Sequence, residues 1–201
     1  MSEENIQSLD TVKVAVGKII NNANSDSEFG KFKYYVNTKW EGGTLCKNQI
    51  RRAHKLLVDE PPAFGGDDLS ASPVELVLAA LGSCQMIMFS ALAATREIEL
   101  EECEVTLKAQ LNVRGLLGIK EDAHSVYPGF SSVTYETNLK SSASTEIIRD
   151  LVQDVERQCP VMDMLTRSVS VEGTTLVNDK LLSLKQSSSI FRRLKSIFGK
   201  K

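Results

Sequence analysis

The chain has 201 residues, 42% of them apolar and 25% charged, with a formal net charge of −2. That length suits one domain with a large core, and the composition is that of an ordinary soluble globular protein. The near-balance of charge removes any bulk electrostatic case for nucleic acid, although residues 185–201 hold six basic residues and no acid, leaving 18 basic against 26 acidic residues before them.

The first ten residues, MSEENIQSLD, are polar and acidic and read as disordered, without the apolar run of a targeting signal. Four widely spaced cysteines (Cys46, Cys84, Cys103 and Cys159) contain no CxxC pair. A cytoplasmic, reduced protein is the resulting expectation, in which any disulfide is catalytic rather than structural. Thr11–Ile20 alternates at Val12, Val14 and Val16 and predicts a short strand, followed by a turn-rich break over Asn21–Ser27. Phe32, Tyr34, Val36, Thr38 and Trp40 predict a strand with one buried face. Glu41-Gly42-Gly43 turns the chain into a return strand over Leu45–Val58, and Pro61–Ala71 is a loop.

Ser72–Arg96 is the stretch around which the rest is arranged. Ser72, Pro73 and Glu75 spell a capped helix start, with the glutamate in capping-box position. Val74–Ala94 is then apolar on every face, interrupted only by Glu75, Ser83, Cys84, Gln85 and Ser90. Such a helix is a membrane span or the axis of a globular core, and the alternating segments on both sides favour the core. Beyond it, Val105–Val113 predicts a half-buried strand, Gly115–Pro128 a loop and Phe130–Leu139 another strand. A second helix capped at Ser144 or Thr145 is broken at Cys159-Pro160. Pro160 opens a short third helix, and Val169–Val177 closes as a strand. This order predicts an α+β fold.

Local chemistry nominates two thiols. Cys159 stands at the start of the helix opened by Pro160, where backbone N–H groups favour a thiolate. Cys84 lies about three turns inside its own helix. There it is either a small packing residue or a nucleophile needing a nearby cation. Glu75 has a sufficient role as a cap. Cys46 and Cys103 read as packing residues. His54 and His124 lack companions at ligand spacing, so neither a metal nor a cofactor is expected. Gly65-Gly66 fits no phosphate loop, and Ser83 lacks the GxSxG context of a hydrolase.

DEPPAFGGDDLSASPVELVLAALGSCQ, then YPGF, then a helix ending in CPV together resemble the OsmC/Ohr family (osmotically inducible protein C and organic hydroperoxide resistance proteins), closest to its OsmC-like group. The resemblance covers roughly residues 30–178. It implies an intertwined homodimer whose buried central helices are enclosed by antiparallel sheets, with active sites at the interface. It implies that Cys84 attacks an organic hydroperoxide and becomes a sulfenic acid, and that Cys159 resolves it to a disulfide. An external dithiol, such as a lipoylated protein, then resets the pair. In Ohr proper an arginine and a glutamate flank the nucleophile. Here Glu75 falls one residue later than the family glutamate, and Arg52 is taken for the arginine. Because that clamp departs from the family pattern, an OsmC-fold redox sensor or small-molecule binder with little peroxidase turnover is the alternative.

The domain reading is an extension over residues 1–28, the OsmC-like domain over 29–178 and a tail over 179–201. Ile190, Phe191, Leu194, Ile197 and Phe198 fall on one helical face among basic residues, so residues 186–201 are a candidate contact with a membrane surface.

Overall fold

The computed structural model describes residues 9–121 and 124–182; the tail expected to form a basic amphipathic helix lies outside them. The chain divides into two compact units at Thr166/Arg167. The first opens with α1, Leu9–Ser25, where alternation suggested a strand. The valines that alternate also satisfy helical spacing: Val12, Val16 and Gly17 are the half-buried positions, while Val14 is left 57% exposed. α1 packs on the long central helix, and Lys13 pairs with Glu97 just beyond that helix's end.

Three antiparallel strands follow, β1 (Val36–Gly42), β2 (Leu45–Ile50) and β3 (His54–Val58), in the order β1-β2-β3. Gly42 and Gly43 take positive φ at the first turn, as the two glycines allow. The expected single return strand is divided because Arg51, at φ 54°, turns the chain over residues 51–53. The expected buried face of β1 is not realised either. Trp40 is 69% exposed, and Phe32 and Tyr34 precede the strand as exposed residues.

The segment between β3 and the central helix is held by one carboxylate. Asp59 is buried and accepts from the Thr44 hydroxyl at 2.6 Å and from the backbone N–H groups of Asp67 and Leu69 at 3.1 and 3.2 Å. These bonds, led by Thr44, lower its pKa from 3.8 to about 2. Because the folded value lies below the unfolded one, the stabilisation is complete above about pH 4 and is lost as pH falls toward about 2. Melting temperature is therefore expected to fall more steeply across that window in the wild type than in Asp59→Asn. Parallel curves would refute the assignment.

α2, Pro73–Arg96, is the central helix. The Ser72 backbone N–H and hydroxyl both donate to the Glu75 carboxylate, at 2.8 and 2.7 Å, which fixes where the helix begins. α2 is long and apolar enough to cross a membrane, yet in this fold α1, a strand and two later helices pack against it. Its buried residues are Leu81, Gly82, Gln85, Phe89, Ala93 and Ala94. Gly82 admits the sheet: a Cβ there would stand 2.9 Å from the Leu107 side chain.

That sheet pairs β4 (Glu102–Leu111) with β7 (Phe130–Lys140), antiparallel from Glu102↔Lys140 to Leu111↔Phe130. Cys103, Val105, Leu107 and Ala109 are half-buried and alternate with exposed Glu104, Thr106, Lys108 and Gln110. The connection, expected as loop, contains α3 (Val113–Leu116) and the two-residue strands β5 (Lys120–Glu121) and β6 (His124–Ser125). α4 (Thr145–Gln158) is capped by the Ser144 hydroxyl, and α5 (Pro160–Thr166) follows at once. The core is a cluster of Phe89, Ala93, Ile98, Leu151 and Val155.

The second unit is a small hairpin of β8 (Leu176–Val177) and β9 (Lys180–Leu181), turned by Asn178 and Asp179 at φ 48° and 62°. The strand expected over Val169–Val177 is limited to its last two residues. No strand pairs with the segment before them among the described residues, and Val171 is 91% exposed.

Candidate active site

The packing of α2 against α4 and α5 brings Cys84 to Cys159, 75 positions apart in sequence. Cys84 is half-buried on the flank of α2. Cys159 is fully buried at the junction of α4 and α5. Its backbone is extended, as expected before proline: its N–H closes α4 on Val155 at 2.9 Å, and its carbonyl accepts from the Asp163 N–H at 3.0 Å, inside α5. The two thiols are hydrogen-bonded to each other, and neither is in a disulfide.

The sequence placed the amide donors at the start of α5 beside Cys159. In the fold one of them, the Val161 N–H, donates to Cys84 instead. A thiol deep inside one helix thus meets the first turn of another. Burial nevertheless dominates and pushes the Cys84 thiol up; the Val161 N–H opposes it, and the neighbouring Cys159 sulfur pushes it up again. Among the described residues, no cation is among the groups acting on Cys84.

The flanking residues chosen from sequence are placed elsewhere. Glu75 is three turns away on the exposed start of α2, its carboxylate bound to Ser72, which holds its pKa below the usual range. Arg52 is exposed on the turn between β2 and β3. Neither acts on Cys84 in the single chain. Cys46 is in β2 opposite Trp40 and Val58. Cys103, in β4, donates its thiol to the Met86 sulfur at 3.5 Å, and burial pushes it up. His54 starts β3 on the exposed side.

Three residues of the neighbourhood escaped sequence reasoning. Tyr135, which reads only as a strand residue, reaches from β7 to the end of α4, where its hydroxyl donates to Glu156. Its pKa is pushed up to about 12 by burial first, then by Glu156 and by Cys159. Gln85, next to Cys84, is buried with its Oε1 unpartnered among the described residues. Only the i, i+3 spacing of Glu156 and Cys159 was visible beforehand. On another flank of α2, Leu78, Gly82, Ser83, Met86, Val105 and Leu107 help to line an open cleft of about 610 Å³ that excludes both site cysteines.

A family model described as OsmC-like protein matches residues 65–173. A search of curated protein sequences returns no match. Among solved structures, an OsmC-like protein from Mycoplasma pneumoniae superposes with a TM-score of 0.57 at 14% identity, over 68% of this chain and 89% of the other. An organic hydroperoxide resistance protein OsmC from Legionella pneumophila gives 0.51 at 18% identity, over 68% and 90%. An organic hydroperoxide resistance protein from Elizabethkingia anophelis, crystallised with thiocyanate, gives 0.50 at 20%, over 67% and 89%. At such identities the likeness establishes the shared α+β architecture.

Proposed function

Since the matched segment spans more than half of the chain, the protein belongs to the OsmC-like family, and on that premise we propose that it is a thiol-dependent peroxidase acting on organic hydroperoxides. The observation that carries this reading is the direct contact of Cys84 with Cys159, with the Val161 N–H on the Cys84 sulfur. The Cys84 thiolate attacks the distal peroxide oxygen, breaking the O–O bond; an alkoxide leaves and takes a proton as the alcohol, and Cys84 becomes a sulfenic acid. The Cys159 sulfur then displaces the sulfenic oxygen as water and forms the Cys84–Cys159 disulfide, which two electrons and two protons from an external dithiol reopen. The family's hydroperoxide resistance proteins support the substrate class. A lipoylated protein is the proposed form of that dithiol, and the cytoplasm the proposed compartment.

A homodimer is the proposed assembly. Trp40, Tyr34 and Tyr35 at the first sheet and Ile87 on α2 are 66–89% exposed, left uncovered by the described residues. A cation from the partner copy would lower the Cys84 pKa, and Arg52 remains the candidate for it. One observation favours the second reading, a redox sensor or small-molecule binder with little turnover: burial pushes Cys84 up and no cation among the described residues answers it. For residues 186–201 a contact with membrane surfaces is proposed from the sequence alone.

Stopped-flow mixing of the reduced protein with an alkyl hydroperoxide tests the assignment. The wild type is expected to lose both thiols into one intramolecular disulfide, Cys159→Ser to stop at a sulfenic acid that dimedone traps on Cys84, and Cys84→Ser to consume no peroxide. Survival of both thiols under stoichiometric peroxide for many minutes would favour the sensor or binder.

A further inference from the structure

The resolving half of this chemistry has its own apparatus in the fold. Cys159 is fully buried, so its sulfur meets Cys84 only if the α4–α5 junction holds one orientation. Three contacts act on that junction. From α2 comes Cys84 itself; from within α5 comes the Asp163 N–H on the Cys159 carbonyl. The third comes from the sheet: the Tyr135 hydroxyl, on β7, donates to the Glu156 carboxylate one turn before Cys159. Glu156 and Cys159 are spaced i, i+3, so a phenol tied to the first is anchored on the same turn as the second. Tyr135 is half-buried and its environment includes the Cys159 sulfur, whereas Glu156 is exposed. An exposed carboxylate is a poor anchor for itself but a good acceptor for a rigid phenol. The hydrogen bond ties the ring to the last turn of α4, next to the Cys159 junction.

We propose that Tyr135, latched to Glu156, is the positioning residue for Cys159: it sets the rate at which Cys84 and Cys159 close their disulfide and leaves the attack of Cys84 on peroxide untouched. This rests on the peroxidase reading for its biological use, but the latch itself concerns disulfide closure by any oxidant. The closing step balances without an external base. Cys84–SOH and Cys159–SH give the S–S bond and water, the thiol proton leaving with the sulfenic oxygen. The phenol moves no proton; it holds the thiol in line.

Two oxidants separate the parts of the test. With an alkyl hydroperoxide, Tyr135→Phe keeps the ring but loses the hydrogen bond. It is expected to form the Cys84 sulfenic acid at the wild-type rate and then resolve it about tenfold more slowly, the equivalent of about 1.4 kcal/mol. Glu156→Gln still offers an amide oxygen to the phenol, so it should resolve within about twofold of wild type, a rescue that general loosening of α4 would not produce. With diamide, which takes two electrons and two protons from the thiol pair and becomes the hydrazine, Tyr135→Phe should again close more slowly than Glu156→Gln. The diamide arm reads the latch even if peroxide does not react, so loss of the peroxide phase alone would strike the peroxidase reading and not this one. Equal diamide closure rates in wild type and Tyr135→Phe would overturn the latch. Equal slowing in Tyr135→Phe and Glu156→Gln would overturn it as well, because the carboxylate's charge, and not the position it fixes, would then be what matters.

Discussion

Phe89→Ala is expected to remove about 3–5 kcal/mol from the free energy of unfolding. Phe89 is 2% exposed and stands at the centre of the cluster where α2 meets α4, with Leu151 and Val155 from the facing helix and Ala93 and Ile98 around the end of its own. The ring's neighbours are side chains of two rigid helices, which cannot collapse far into the space it leaves, so the cavity term adds to the lost transfer energy. Against a whole-domain stability of about 5–15 kcal/mol this is a large share. Urea unfolding followed by far-UV circular dichroism measures it. A loss below about 1 kcal/mol would mean that the α2–α4 contact is not where stability is concentrated. The same contact sets the meeting of Cys84 and Cys159, so disulfide closure should slow in this variant too.

Gly66→Ala is the second large effect, and its cause is backbone rather than core. A Cβ at residue 66 would stand 1.7 Å from the Glu60 carbonyl oxygen and 2.8 Å from the Thr44 hydroxyl. The first is main chain and cannot swing aside. The loop must open, and the bonds that Asp59 makes to Thr44, Asp67 and Leu69 lie directly in the displaced segment. The substitution is expected to exceed the usual range for single changes, at about 3 kcal/mol or more. It should also flatten the acid transition of Asp59, since the bonds that lower its pKa would be gone. An unchanged melting temperature in Gly66→Ala would show that the close approach of residues 60 and 66 is dispensable.

What could be read in advance depended on how local the cause was. The start of α2 is written in Ser72, Pro73 and Glu75, and the break at Cys159-Pro160 in the proline itself; both are consequences of adjacent residues. The β4–β7 pair announced itself through alternation on one face. α1 was misread because three valines at spacing two satisfy a strand and, taken as Val12 and Val16, also one side of a helix, and only α2 decides between them. The divided return strand turns on the backbone angle of Arg51, which no side-chain pattern reveals. At the site, the pairing of Cys84 with Cys159 came from family resemblance. Local spacing alone aimed the α5 amides at Cys159, and the fold aims one of them at Cys84. Tyr135 could not be found because its partner is 21 residues away on another element, a distance at which only tertiary structure speaks.

If two copies pair as proposed, the outward side of α2 ties this protein's stability to its own abundance. Under a third of the helix's most apolar stretch is buried within one chain, so the hydrophobic gain available to that helix is left incomplete until another surface covers it. Under the proposed pairing of two copies the remaining gain is collected by association and obeys mass action: each tenfold dilution withdraws about 1.4 kcal/mol per mole of dimer. A dilute chain would then be a less stable chain, and the thiol pair along the same helix would share in that loss.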